Sequence, residues 1–289
     1  RDADLVRDFY SVGQMDHAML CVPMGADSLW IECTNPRYPL GYRHDAVAGH
    51  QVVLVKEDGG ELVRVRPYPD SLGIHAETVD VTLNPDGTAS CRGMRRLTLD
   101  NTEAYIDFRT LDSKAQFRAV MSGTSMNPSD FSITSVEDNF NDWVDMEQGE
   151  EYVPEVNIGY TYVVSDYGKV SGDRIFMDLN PFAKNLVTSR SARVNDFVIR
   201  SGGMLADTVR VNIPEGYVPE AMPASVRLES RFGIFVSDVT YDEALSRIVV
   251  SQTIRLNAGR YSRDMYSDYR AFAREVSKAY GARVVLVRK

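Results

Sequence analysis

Two side chains in the first part of the chain could do acid–base chemistry together. His17 and Glu32 are 15 residues apart, on two segments that read as short strands joined by a tight turn. Adjacent strands of such a hairpin would bring the imidazole and the carboxylate within reach of each other. An imidazole can take a proton from a thiol, and a carboxylate that accepts its other N–H fixes the tautomer. The spacing makes His17 a candidate general base and Glu32 its candidate orienting acid. Trp30, two residues before the acid, would be either a core residue or a wall of a substrate pocket.

Thiol chemistry also needs a nucleophile, and the chain has three cysteines, Cys21, Cys33 and Cys91. Cys21 is four residues from His17 on the same strand, so their Cα atoms would be about 13 Å apart, too far for a hydrogen bond. Cys33 adjoins Glu32 but faces the opposite side of its strand, and Cys91 lies in a later part of the chain. None is placed at a helix N-terminus, where a thiolate would be stabilised. We therefore expect this chain alone to lack hydrolase or transferase activity.

A metal site is the other chemistry that the sequence could suggest. His44, Asp45 and His50 are close together, but their spacing fits no standard zinc motif and the stretch reads as a Gly- and Pro-flanked loop. The sequence therefore predicts neither a metal ion nor another cofactor.

The segments that must position His17 and Glu32 open a β-rich sequence. Residues 52–55 and 62–65 predict a second hairpin, and residues 67–70 predict a linker, so we place a domain boundary near residue 72. Beyond the boundary, alternating apolar residues predict strands within 79–99, 131–136, 155–178, 226–256 and 284–287. Helices are expected over 101–120, with Asp100 or Asn101 as the cap, and over 262–280, which Gly281 would end.

Several residues around the His–Glu pair also match a family pattern. They are Asp16, His17, Trp30, Ile31, Glu32, Cys33, Thr34, Pro39, Leu40, Gly41 and Tyr42. This run resembles the transglutaminase-like (papain-like thiol) superfamily, and in particular a bacterial secreted branch with flanking β domains. The similarity covers residues 10–66 and, more loosely, most of the rest, including Tyr217 and Phe232. Glu32 stands where the family more often has Asp.

The resemblance implies a catalytic Cys on a helix that precedes His17 in the sequence. No cysteine lies upstream of His17 here, and the chain begins at Arg1 without an initiator Met. We therefore expect a piece of a longer protein whose upstream part supplies the nucleophile. The resemblance also implies a peptide or protein substrate and a periplasmic or extracellular location.

Composition excludes other classes of protein. The 289 residues include 32 basic and 41 acidic side chains, a net charge of −9. This charge disfavours nucleic-acid binding and attraction to anionic membranes. No apolar run is long enough for a transmembrane helix.

Together these features predict an α+β, β-rich fold. Residues 1–70 would form the C-terminal part of a transglutaminase-like domain, and 73–289 an antiparallel β-sandwich-like domain with packed helices, possibly split near 215. The predicted function is the C-terminal portion of a thiol hydrolase or acyltransferase. The alternative is a non-catalytic binding or scaffold module of the cell envelope.

Overall fold

The computed structural model describes residues 5–6, 11–25, 27–124, 126–142, 151–182, 186, 189, 193–199 and 202–289. Its α-helices are α1 (Ser113–Met121) and α2 (Tyr266–Tyr280). Its strands are β1 (Met19–Met24), β2 (Asp27–Glu32), β3 (Gln51–Lys56), β4 (Gly59–Arg64), β5 (Ile74–Leu83), β6 (Ala89–Thr98), β7 (Pro128–Asp138), β8 (Glu155–Val164), β9 (Gly168–Ser171), β10 (Arg174–Asp178), β11 (Phe197–Ile199), β12 (Met204–Asn212), β13 (Tyr217–Ala221), β14 (Val226–Ser230), β15 (Gly233–Asp242), β16 (Arg247–Leu256), β17 (Gly259–Tyr261) and β18 (Arg283–Arg288).

Two sheets form the larger part of the molecule. The first has eight strands in the order β14-β15-β16-β12-β5-β6-β8-β7, and the second has four in the order β13-β18-β10-β9. Neighbouring strands are antiparallel except β5 and β12, which run parallel. The remaining strands of the described chain form three two-stranded pairs, β1-β2, β3-β4 and β11-β17.

The main core lies between the two sheets. Alternate residues of β6 are buried, as expected of a strand with one face against a core. Val79 and Tyr160 of the large sheet share one apolar cluster with Ile175 and Leu286 of the small sheet. A second cluster forms where α2 covers the β14–β16 end of the large sheet, and it includes Phe272. This arrangement confirms the predicted β-rich α+β class.

The helix expected over 101–120 is wrong as a single element. The chain forms two 3-10 turns, Leu99–Tyr105 and Phe108–Thr110, and only then α1. Asp112 has extended backbone, and its carboxylate accepts a hydrogen bond from the Ala115 N–H at 2.7 Å. An N-cap aspartate has non-helical backbone, so a helix cannot continue through it. The predicted helix is therefore divided at residue 112. Near the C-terminus, α2 begins later than predicted because Ser262 caps a 3-10 turn, Arg263–Met265, ahead of it.

An aromatic cluster joins the first seventy residues to the 3-10 turn Leu99–Tyr105, which follows β6 of the large sheet. Its buried members are Tyr42, Leu99 and Tyr152, and partly buried Tyr38, Tyr68, Leu72 and Val153 pack around them. The cluster holds the loop of residues 33–50 in place between β2 and β3. The domain boundary near 72 and the split near 215 stay predictions, although strands from both sides of residue 215 lie in both sheets.

Candidate functional site

The β1–β2 hairpin brings His17 and Glu32 together. Met24 is opposite Asp27, and Gly25 has a φ of 59°, which suits the tight turn between the strands. This register places Met19 opposite Glu32, so His17, two residues before Met19, is directed to the same face as the carboxylate. His17 Nε2 lies 2.6 Å from Glu32 Oε2. The two side chains therefore lie as the hairpin spacing predicts, while their catalytic roles stay predictions.

The carboxylate of Glu32 is fixed by the chain that follows it. Its Oε1 accepts hydrogen bonds from the Thr34 N–H at 2.6 Å, from the Thr34 hydroxyl, and from the Asn35 N–H at 3.2 Å. Only 2% of the side chain is exposed. These donors occupy Oε1 and leave Oε2 for His17.

The same contacts determine the charge of Glu32. Burial would raise its pKa, but the hydrogen bonds from Thr34, His17 and Asn35 outweigh burial and lower the pKa to about 2. Glu32 is therefore ionised at neutral pH and can only accept hydrogen bonds. Because Oε2 is an acceptor, Nε2 of His17 must be the nitrogen that carries the proton. In the neutral imidazole the free lone pair is then on Nδ1.

A second histidine faces the same carboxylate oxygen. His44 Nε2 is 3.0 Å from Glu32 Oε2, and the imidazole rings of His17 and His44 meet edge to face with centroids 5.1 Å apart. The His44 side chain is 6% exposed, and its buried Nε2 forms no hydrogen bond of acceptable geometry with the residues described. From the sequence, His44 was considered only together with Asp45 and His50, so its contact with Glu32 was not predicted.

His44 is held by the loop that precedes it. The ring of Tyr38 stacks on the His44 imidazole with centroids 5.3 Å apart and planes only 6° from parallel. Tyr38 and Tyr42 donate their hydroxyl protons to Glu103 at 3.1 and 2.7 Å, and the Asp45 N–H donates to Glu103 at 3.3 Å. Glu103 belongs to the 3-10 turn that follows β6. The β-rich part of the chain therefore anchors the loop that positions His44.

Arg43, next to His44, adds a second anchor. Its guanidinium donates to the Arg66 carbonyl at 3.0 Å, pairs with Glu151, and lies over the Tyr68 ring at 4.2 Å. The Tyr68 hydroxyl also accepts the Arg43 N–H at 3.2 Å. Because a buried arginine with several partners is costly to move, these contacts fix the backbone beside His44.

Trp30 is half-buried two residues before Glu32 in β2, on the same face of the strand. Cys21 is opposite Trp30 in the hairpin, so it is displaced along the strand from the His–Glu pair. Cys33 is exposed, and Cys91 is buried in the main core, where burial raises its pKa to about 12. The structure thus gives His17 no thiol partner among the three cysteines, all of which it describes.

Two groups in the described chain could hold a metal ion. One is His17, Glu32 and His44, and the other is His44, Asp45 and Glu103; the ligand atoms in each lie within 4.8 Å of one another. His50 is in neither group.

Neither α1 nor α2, nor any other helix that the structure describes, is long and apolar enough to cross a membrane.

Comparisons with known proteins concern a different part of the chain from the site. Residues 173–286 match the sequence model of DUF3858, described as a domain of unknown function with a solved structure. None of the site residues above falls in that range. A crystal structure described as a "putative protease" from Parabacteroides distasonis is 11% identical and covers 75% of this chain, with a TM-score of 0.28, which is too low to establish a shared fold. This chain spans 40% of that protein's length, and no curated protein matches its sequence. The match to this domain family spans residues 173–286, from β10 into β18.

Proposed function

We propose that this chain carries the general base and the orienting acid of a transglutaminase-like thiol hydrolase or acyltransferase. The observation that supports the proposal is the 2.6 Å contact between His17 Nε2 and Glu32 Oε2, with Glu32 Oε1 already saturated by Thr34 and Asn35. A carboxylate held in this way orients the ring and stabilises the imidazolium that forms when the base accepts a proton.

In the proposed reaction, the thiol proton passes to His17 Nδ1, while the Nε2–H of the same ring stays hydrogen-bonded to Glu32 Oε2. The thiolate sulfur attacks the carbonyl carbon of an amide, and a C–S bond forms. Collapse of the tetrahedral intermediate breaks the C–N bond, and the imidazolium returns its proton to the leaving amine. Water or a second amine then attacks the thioester, with His17 again as the base, and the thiol is regenerated.

The nucleophile in this proposal comes from an upstream part of the same protein. Exposed apolar side chains support a further packing partner at this end of the chain. Among the described residues, 14 large apolar side chains are exposed, and eight of them lie in the first 62 residues: Val6, Met15, Leu20, Met24, Leu40, Val53, Val55 and Leu62. If these side chains form one contiguous patch, another segment would be expected to cover it.

The substrate class that the proposal implies is a peptide or protein, with Trp30 beside the acid as a pocket wall. A periplasmic or extracellular location is part of the same proposal, and it depends on the family resemblance alone.

Labelling of the longer protein with a peptidyl thiol electrophile tests the proposal. We expect one cysteine upstream of His17 to be modified stoichiometrically. His17→Ala and Glu32→Gln should slow labelling by roughly 10²–10⁴-fold and about 10-fold or more, respectively, because one removes the base and the other its orientation. His75→Ala is the matched control, since His75 also lies near a buried glutamate, Glu77, but outside the site.

Unchanged labelling in His17→Ala would contradict the proposal, as would stoichiometric labelling of Cys21, Cys33 or Cys91. A longer protein without a reactive upstream cysteine would favour the scaffold alternative instead.

A further inference from the structure

We propose that His17, Glu32 and His44 form a binding site for a divalent transition-metal ion of the zinc class. Two imidazoles and one carboxylate are a donor set that zinc accepts, and three protein ligands leave a fourth position for water or a ligand. This inference goes beyond the proposed acyl chemistry and does not depend on it.

The separations between the donor atoms suit a single ion. Glu32 Oε2 lies 2.6 Å from His17 Nε2 and 3.0 Å from His44 Nε2, and all three donors lie within 4.8 Å of one another. Ligands of a tetrahedral ion with bonds of about 2.0 Å are about 3.3 Å apart. The His17–Glu32 contact would therefore open by about 0.7 Å as the ion replaces the hydrogen bond.

His44 provides the independent sign that a ligand belongs here. Its side chain is 94% buried, and its Nε2 lies 3.0 Å from Glu32 Oε2 but makes no hydrogen bond of acceptable geometry with the described residues. A buried polar atom without a hydrogen bond destabilises the folded state, and a bound cation would satisfy it. The nitrogen is an acceptor only in the tautomer protonated at Nδ1, and that tautomer is the one that binds a metal through Nε2.

The surroundings supply the support that metal ligands usually have. Tyr38 stacks on the His44 ring and fixes its plane, and Thr34 and Asn35 hold Oε1 so that Oε2 is presented. Asp45 and Glu103 lie near His44 and add negative charge. Such outer contacts orient ligands and raise affinity.

The partly exposed side of the site provides a route by which an ion can reach the ligands. The side chains of Glu32 and His44 are buried, whereas the His17 side chain is 30% exposed. An ion could therefore enter on the His17 side, and the open coordination position would face solvent there. Because the ion would take the atoms that form the His17–Glu32 hydrogen bond, metal binding and general-base action of His17 would exclude each other.

Calorimetric titration of the purified 289-residue chain with Zn²⁺, and the visible d–d absorption of the Co²⁺ form, test the proposal. We expect one ion per chain. Since loss of an outer-shell partner alone weakens metal affinity 10–100-fold, His44→Gln and Glu32→Gln should each weaken it by more than about 100-fold. His50→Gln, in the same loop but outside the cluster, is the matched control and should bind like the wild type.

An absence of stoichiometric binding, or wild-type affinity in a folded His44→Gln variant, would overturn the proposal. If the variants do not fold, X-ray absorption spectroscopy of the zinc-loaded wild type decides. Two imidazoles in the coordination shell support the site, and fewer than two contradict it. None of these measurements uses an enzymatic activity, so the metal site and the proposed acyl chemistry can fail independently.

Discussion

Replacing Glu32 with glutamine should destabilise the first hairpin in a pH-dependent way. Glutamine keeps an acceptor for Thr34 and Asn35 but removes the charge that those N–H groups and His17 stabilise. The difference between the ordinary carboxyl value of 4.5 and a pKa of about 2 corresponds to about 3 kcal/mol at neutral pH. Because His17 is partly exposed, screening by solvent reduces this figure, and we expect a loss of about 1–3 kcal/mol.

The pH dependence follows from the direction of the shift. A carboxyl group with a lowered pKa in the folded state stabilises that state fully above its unfolded pKa, and the contribution is lost as the pH falls through the folded pKa. For Glu32 the window is from pH 4.5 down to about 2. At pH 3 less than half of the neutral-pH stabilisation should remain, about 1.4 kcal/mol before screening.

Urea unfolding followed by tryptophan fluorescence measures this difference. The chain has two tryptophans, and in a Trp143→Phe background Trp30, two residues from Glu32, reports on the hairpin alone. The titrations are run with a chelator at pH 7 and pH 3. Glu61→Gln is the control, since its pair with Lys56 is exposed and should contribute less than about 0.5 kcal/mol. The reasoning is refuted if Glu32→Gln is as stable as the wild type at pH 7, or if the loss is the same at both pH values.

Three further outcomes follow from the packing. Tyr42→Phe removes a hydroxyl that donates to Glu103 at 2.7 Å. Thermal unfolding should show that the free energy of unfolding falls by about 1–2 kcal/mol. An unchanged melting temperature would mean that this contact does not anchor the loop. Arg95→Met leaves Glu77, which is 1% exposed, without its ion-pair partner in the core. Urea unfolding should show a loss of stability of about 3–5 kcal/mol. Adding Glu77→Leu to the same chain should restore much of that loss. Cys91, whose pKa burial raises to about 12, should react with a thiol reagent only after unfolding, and fast reaction in the native state would contradict its burial.

The part of the site that could be predicted from sequence is the part formed by local structure. His17 and Glu32 are joined by one hairpin, so their spacing and strand periodicity suffice to bring them together. His44 could not be predicted in the same way. Its place depends on Tyr42 reaching Glu103, 61 residues further along the chain, and nothing in the local pattern specifies that contact.

The same distinction holds for the fold. Alternation along β6 and β8 predicts strands with one buried face, and the structure has them. The parallel pairing of β5 with β12 joins segments that are far apart in the sequence, and alternation alone does not say which strands are neighbours. The predicted helix over 101–120 failed for a local reason, since the apolar spacing continued across Asp112 although its cap chemistry starts a new helix there.

The central claim is that His17 and Glu32 act as one unit in acyl transfer. A double-mutant cycle on kcat/KM for peptide-amide hydrolysis by the longer protein tests it most directly. Because Glu32 would act only through the imidazole, the double variant His17→Ala/Glu32→Gln should be no slower than His17→Ala alone. Losses that multiply in the double variant would show that the two residues act independently and would contradict the claim.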